Sequence, residues 1–142
     1  MIRLVLPLLI IAVQQCHGLF NYFGDTQAVT VTGKLICNGR PADGVLVKMY
    51  EDGLIYDSKL DSTRTAADGT FMVSGTYTKI TTIDPKVNIY HTCNYSGLCS
   101  KKVTIEIPHE YVALNTASNR NYDIGTINLA NQFRGESIDC IH

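Results

Sequence analysis

Apolar and polar positions alternate with a period of two from residue 28 onward. Val29, Val31, Gly33 and Leu35 fall on one side of an extended segment, and Thr30, Thr32 and Lys34 on the other. The run 38–44 (Asn-Gly-Arg-Pro-Ala-Asp-Gly) is a dense turn signal. A second strand follows, with Val45, Val47 and Met49 inward and Leu46, Lys48 and Tyr50 outward, until Glu51-Asp52-Gly53 breaks it. Residues 54–60 read either as a short edge strand or as an irregular loop. Asp68-Gly69 is a turn signal, since Gly accepts positive φ and Asp can bond its own backbone, and it leads into a strand with Phe71 and Val73 inward. Val87, Ile89 and His91 share a face of the next segment. Val103, Ile105 and Ile107 point inward in the cleanest strand, against Lys102, Thr104 and Glu106, and Pro108 ends it.

The C-terminal third is less regular. Residues 109–119 have room for a helical turn but too little apolar periodicity for a packed helix. Tyr122 to Leu129 forms the last strand, with Gly125 marking a bulge or a close backbone approach. Residues 130–142 are polar and extended, and fray unless Cys140 anchors them. Six or seven short strands without βα alternation predict two antiparallel sheets packed face to face. The length of 142 residues fits one such domain.

Residues 1–18 stand outside this pattern. Arg3 precedes an apolar run, Leu4 to Val13, that is too short to span a bilayer; Gln14-Gln15 turns polar and Gly18 is a small residue before a cut. We read 1–18 as a secretory signal peptide and 19–142 as the mature domain. Cleavage removes Arg3 and no acid, so 11 basic side chains face 13 acidic ones and the net charge is -2. That balance lacks the positive field of a nucleic-acid binder. No second apolar run reaches spanning length, so no transmembrane segment is expected.

Cleavage also resolves an odd cysteine count. Cys16 leaves with the leader, and Cys37, Cys93, Cys99 and Cys140 remain. Four cysteines in an exported chain imply two disulfides, with three pairings open. The favoured pairing is a local Cys93–Cys99 bridge and a long Cys37–Cys140 bridge. A zinc site is the rival, disfavoured by the Cys-x5-Cys spacing and an oxidising compartment.

Several segments together resemble the nematode transthyretin-like family: Val31-Thr-Gly-Lys-Leu-Ile-Cys37-Asn-Gly-Arg-Pro41, Thr81-Thr-Ile-Asp84-Pro85, Ile89-Tyr-His91-Thr-Cys93, Lys102-Val-Thr-Ile-Glu-Ile-Pro108 and Tyr122-Asp-Ile-Gly125-Thr-Ile-Asn-Leu129. The resemblance runs from about Thr26 to Cys140. It implies a transthyretin/prealbumin-like Greek-key β-sandwich of about seven strands in two antiparallel sheets. It also implies a secreted protein; together with the leader and the lack of a coherent catalytic set, this leads to the expectation of a non-enzymatic binding protein that engages a cell-surface or extracellular partner and uses no cofactor. One family member bridges phosphatidylserine on dying cells to an engulfment receptor, which makes an anionic phospholipid headgroup the alternative ligand. The wider superfamily includes 5-hydroxyisourate hydrolases, whose C-terminal Tyr-Arg-Gly-Ser is echoed by Phe133-Arg134-Gly135-Glu136. Phe133 lacks the hydroxyl, Glu136 replaces Ser, and the first strand carries no histidine. Hydrolysis is therefore the remote alternative, and thyroid-hormone carriage has no signal in this chain.

The candidate site residues follow from charge and phase. Lys101, Lys102 and Lys86, with Lys79 nearby in sequence, form a small basic edge able to meet an anionic headgroup; the simpler reading is solvation or edge protection. His91 is in phase with core positions, so a satisfied strand histidine competes with a ligand contact. Asp84-Pro85 reads as a turn that sets a strand's entry. Asn94-Tyr95-Ser96 is a glycosylation sequon in the 93–99 loop. No catalytic or metal-binding residue is assigned.

Overall fold

The computed structural model describes residues 24–114 and 120–142. The expected leader, 1–18, lies outside the described residues. The strands are β1 (Asp25–Cys37), β2 (Arg40–Pro41), β3 (Leu46–Glu51), β4 (Ser58–Arg64), β5 (Thr70–Lys79), β6 (Pro85–His91), β7 (Ser100–Glu106), β8 (Ala113–Leu114), β9 (Asn121–Asn128) and β10 (Ser137–Asp139). Three of them are two or three residues long, which leaves seven of sandwich length, as the alternation implied. Among the described residues of the stretch that lacked helical periodicity, His109–Tyr111 forms a 3-10 turn.

One sheet is built around β1, which pairs antiparallel with β5, β2 and β8. Its partner β9 runs parallel, a departure from the expected antiparallel pairing, because alternation sets which face a side chain takes and not the direction of the strand. The β1–β9 register shifts between Thr32 and Lys34, where Gly125 takes φ +76 and Asp123 accepts the Gly125 N–H at 2.9 Å. This is the bulge expected at Gly125. The other sheet has the order β10-β7-β6-β3-β4 and is antiparallel throughout. Alternating side chains from both sheets meet in one core: Val29, Val31 and Leu35 from β1, Val47 and Met49 from β3, and Val87 and Ile89 from β6. Ile105 only packs partly against it.

Turn chemistry sets the ends of the strands. Asn38 and Gly39 both have positive φ, +54 and +79, and link β1 to β2 as a two-residue hairpin with primed geometry. At the turn before β5, Asp68 accepts from both the backbone N–H (3.0 Å) and the hydroxyl (2.6 Å) of Thr70. Segment 54–60 resolves the ambiguity both ways: 54–57 is loop, and from Ser58 the chain is strand.

The cysteines pair differently from the expectation. Cys37 bonds Cys93 and Cys99 bonds Cys140, with Cα separations of 5.9 and 4.5 Å. Neither Cys93–Cys99 nor Cys37–Cys140 forms. Spatial neighbours decide the pairing, and here those neighbours are strand ends. Cys37 closes β1 and Cys93 follows β6, so their bridge joins the two sheets. Cys99 and Cys140 flank the Ser100–Asp139 pair of β7 and β10, so their bridge continues a ladder. All four sulfurs are consumed, which leaves none for zinc.

Candidate functional site

The two ends of the sandwich differ in construction. One is stapled by both disulfides. The other carries the loop 52–57 between β3 and β4, the segment 80–84 between β5 and β6, and the 3-10 turn. At this second end two buried polar side chains, Gln27 and Glu51, hold the loops in place. The Gln27 amide donates to the carbonyls of Lys79 (3.2 Å) and Thr81 (2.8 Å) and accepts the Ile83 N–H at 2.9 Å. Glu51 is 1% exposed, accepts from the Lys79 ammonium at 2.6 Å and takes the Asp84 N–H at 2.7 Å. Each carboxylate oxygen therefore has its own donor, which a buried charge requires.

A second ion pair braces loop 52–57 itself. Lys86 reaches Asp57 at 2.7 Å and Asp52 at 3.7 Å, and the Asp52 N–H donates to the Asp84 carbonyl at 2.9 Å. The Lys86 hydrogen bond holds the Asp57 carboxyl below its ordinary value, and the same bond raises Lys86. Gly53 sits where any Cβ would collide with the Tyr56 carbonyl, so the chain doubles back only because the residue is glycine. The outcome is a held loop whose tip, Leu54-Ile55-Tyr56, is 106%, 93% and 74% exposed. Ile80 and Leu114, also exposed, lie at the same end. A groove of about 290 Å³ runs between this tip and the end of β5, lined by Tyr56, Tyr77 and Lys79 among others.

The lysines singled out in sequence do not converge. Lys86 and Lys79 serve the loop end, as above. Lys101 pairs with Glu136 at 3.5 Å and Lys102 with Asp139 at 3.9 Å, both on the C-terminal segment. Each is committed to a carboxylate of its own chain, so they do not make a free basic edge. Asp84 forms a 2.5 Å pair with His109 beside a cavity of about 150 Å³ that Asp52, Lys86 and Glu106 also line. Asn94 is exposed and exchanges two amide hydrogen bonds with Asn38, at 2.7 and 3.0 Å.

Sequence comparison then places the chain. A model of the transthyretin-like family matches residues 32–108, more than half of the chain. The chain belongs to the transthyretin-like family. "Transthyretin-like protein 5" of Caenorhabditis elegans is 46% identical over 127 residues, covering 87% of this chain and 91% of that protein. "Transthyretin-like protein 33" of the same animal is 39% identical over 121 residues, with 82% and 84% covered. Among solved structures, a 9R-lipoxygenase from Cyanothece matches 72% of this chain and 16% of that chain, at 13% identity and a TM-score of 0.40, too remote to bear on function.

His91 faces the interior at 4% exposure, at the stapled end. Its Nδ1 accepts the Cys93 N–H at 3.1 Å, while its Nε2 and the Oε1 of Glu136 are both buried without a hydrogen-bond partner. The 3.5 Å approach of Lys101 to that oxygen is an ion pair without hydrogen-bond geometry. Burial draws the His91 pKa below its ordinary 6.5, while Glu136 pulls it upward and Lys101 downward to a lesser degree. The tail 133–136 that echoes the hydrolase is here a turn: the Glu136 N–H donates to the Phe133 carbonyl at 3.2 Å, and the Glu136 side chain takes the Phe133 N–H at 3.3 Å.

A pH prediction follows from His91. Its folded pKa is depressed, so the unfolded chain binds more protons below about 6.5. Its contribution to stability is complete above that pH and declines as pH falls through the folded value. Urea melts at pH 7.5 and pH 5 are expected to show lower stability at pH 5, and His91→Phe to flatten that difference whatever its effect at pH 7.5. An unchanged difference in the variant contradicts the assignment.

Gln27, Glu51 and the 54–56 tip belong to no motif. An uninterrupted Leu-Ile-Tyr directly after a Glu-Asp-Gly break was a usable signal, because three bulky apolar residues in a turn bury nothing. Glu51 gave no signal, since its burial depends on Lys79 and Asp84 from other elements.

Proposed function

We propose that this chain is a secreted, non-enzymatic binding module that meets an extracellular or cell-surface partner through the loop end of its sandwich. The observation that carries this reading is the Leu54-Ile55-Tyr56 tip, held outward by Lys86, Asp57 and Gly53 on a rigid sheet pair. Functional loops on a rigid scaffold are a common arrangement for recognition. Two disulfides fit an oxidising compartment, and no helix among the described residues is long and apolar enough to cross a membrane.

Secretion is tested by intact mass. The exported protein is expected to lack residues 1–18 and the four thiol hydrogens, after any glycan on Asn94 is removed; a retained leader or free thiols contradicts the reading. Binding is tested with labelled, disulfide-intact protein on intact cells and matrix of Caenorhabditis elegans, the source of the relatives. Saturable binding, competed by unlabelled protein, is expected. Non-saturable association, or hydrolysis of 5-hydroxyisourate abolished by His91→Gln or Arg134→Ala, overturns it.

A further inference from the structure

Deepening the binding reading, on which it rests, we infer that the loop end docks a protein whose apolar cleft is rimmed by basic side chains, rather than an anionic lipid surface. The apolar half of this partner chemistry comes from the 54–56 tip. Three consecutive large side chains that are largely exposed form a compact anchor. Aromatic and aliphatic anchors of this kind dominate interface energies when they enter a pocket. The groove beside them, with Tyr77 in its lining, offers a return site for a partner's side chain.

Charge supplies the other half. Asp25, Glu106 and Glu110 are exposed at the same end, as is Asp84, which pairs with His109. The nearest lysines are already neutralised: Lys79 by Glu51, and Lys86 by Asp57 and Asp52. Lys59 and Arg120 are the remaining Lys or Arg side chains near that end among the described residues. An apolar tip at an end of the sandwich where acids outnumber unpaired bases is repelled by a lipid surface of negative potential. Two copies meeting tip to tip would also bring like-charged ends together. A basic rim around an apolar cleft complements both features and would speed encounter at low salt.

The test places the photo-crosslinking residue p-benzoylphenylalanine at Ile55, and in a parallel protein at Leu98, equally exposed at the stapled end. Both full-length, disulfide-intact proteins are irradiated on intact Caenorhabditis elegans cells. The captured species is identified, purified and titrated against the unmodified chain and Ile55→Ser. The inference expects capture from position 55 and about tenfold or greater loss of affinity in Ile55→Ser. It also expects affinity that falls as salt rises. Ile55→Ser removes a side chain that supports no core contact, so an unchanged thermal melt verifies its fold. Capture from 98 alone overturns this surface and leaves the binding reading standing. Capture from neither, with no saturable binding, overturns both. Three further results overturn the inference: a captured partner indifferent to salt and to Ile55→Ser, Ile55-dependent binding to phosphatidylserine-containing vesicles but not neutral ones, and concentration-dependent dimers that Ile55→Ser abolishes.

Discussion

Replacing Cys37 and Cys93 together with alanine is expected to cost about 4 kcal/mol of stability. The bridge closes a loop with a sequence separation of 56, and the chain-entropy relation gives roughly that value for a loop of this length. For a domain of this size the midpoint of thermal unfolding should fall by about 12–20 °C. The magnitude also discriminates between pairings. Were Cys93 joined to Cys99 and Cys37 to Cys140, the same double replacement would break both bridges and cost about 7 kcal/mol. The Cys99–Cys140 bridge, with a separation of 41, has nearly the same entropic value as the Cys37–Cys93 bridge. It secures only the three-residue β10, which can detach without unfolding the rest, so its removal is expected to shift the global midpoint less and to raise hydrogen exchange along β10. Peptide mapping that recovers Cys93 joined to Cys99 contradicts the pairing outright.

The second large effect is expected at Glu51. Glu51→Ala removes a buried carboxylate and leaves the Asp84 N–H and the Lys79 ammonium, 31% exposed, without their acceptor. A loss of about 2 kcal/mol follows from losing the charged hydrogen bonds at the two carboxylate oxygens while the ammonium keeps partial access to water. Glu51→Gln retains one acceptor oxygen and should lose less. Lys79 is held charged chiefly by its hydrogen bond to Glu51, which raises its pKa above the ordinary 10.5. The stabilisation is therefore complete below pH 10.5 and is lost as pH rises through the folded value. Chemical denaturation at neutral and strongly alkaline pH measures both effects. A Glu51→Ala protein as stable as the parent, or one with an unchanged alkaline decline, contradicts the role assigned to this pair.

Most of the fold was legible because a two-sheet core imposes a period of two on every strand that crosses it. Val29, Val31 and Leu35, or Val47 and Met49, declare their side of the sheet without knowledge of any neighbour. Gly125 and Asp68-Gly69 were equally readable, since a bulge and a tight turn each demand particular residue types locally. Pairing between distant elements was not legible. Nothing in Tyr122 to Leu129 says that it runs parallel to β1, and nothing in a five-residue gap says that Cys93 faces Cys37 rather than Cys99. The candidate lysines failed for the same reason. Lys86, Lys101 and Lys102 look like free cations in sequence, and their carboxylate partners lie in other elements. Lys86 braces the loop that carries the exposed tip through its pairs with Asp57 and Asp52.

Saturable binding to Caenorhabditis elegans cells, compared between the parent chain, a Leu54→Ser/Ile55→Ser/Tyr56→Ser variant and a Leu98→Ser variant, tests recognition through the loop end most directly. All three proteins should melt alike, because none of the altered side chains belongs to the core. The account predicts that the loop variant binds at least about tenfold more weakly while Leu98→Ser matches the parent. Equal binding by the parent and the loop variant would contradict it.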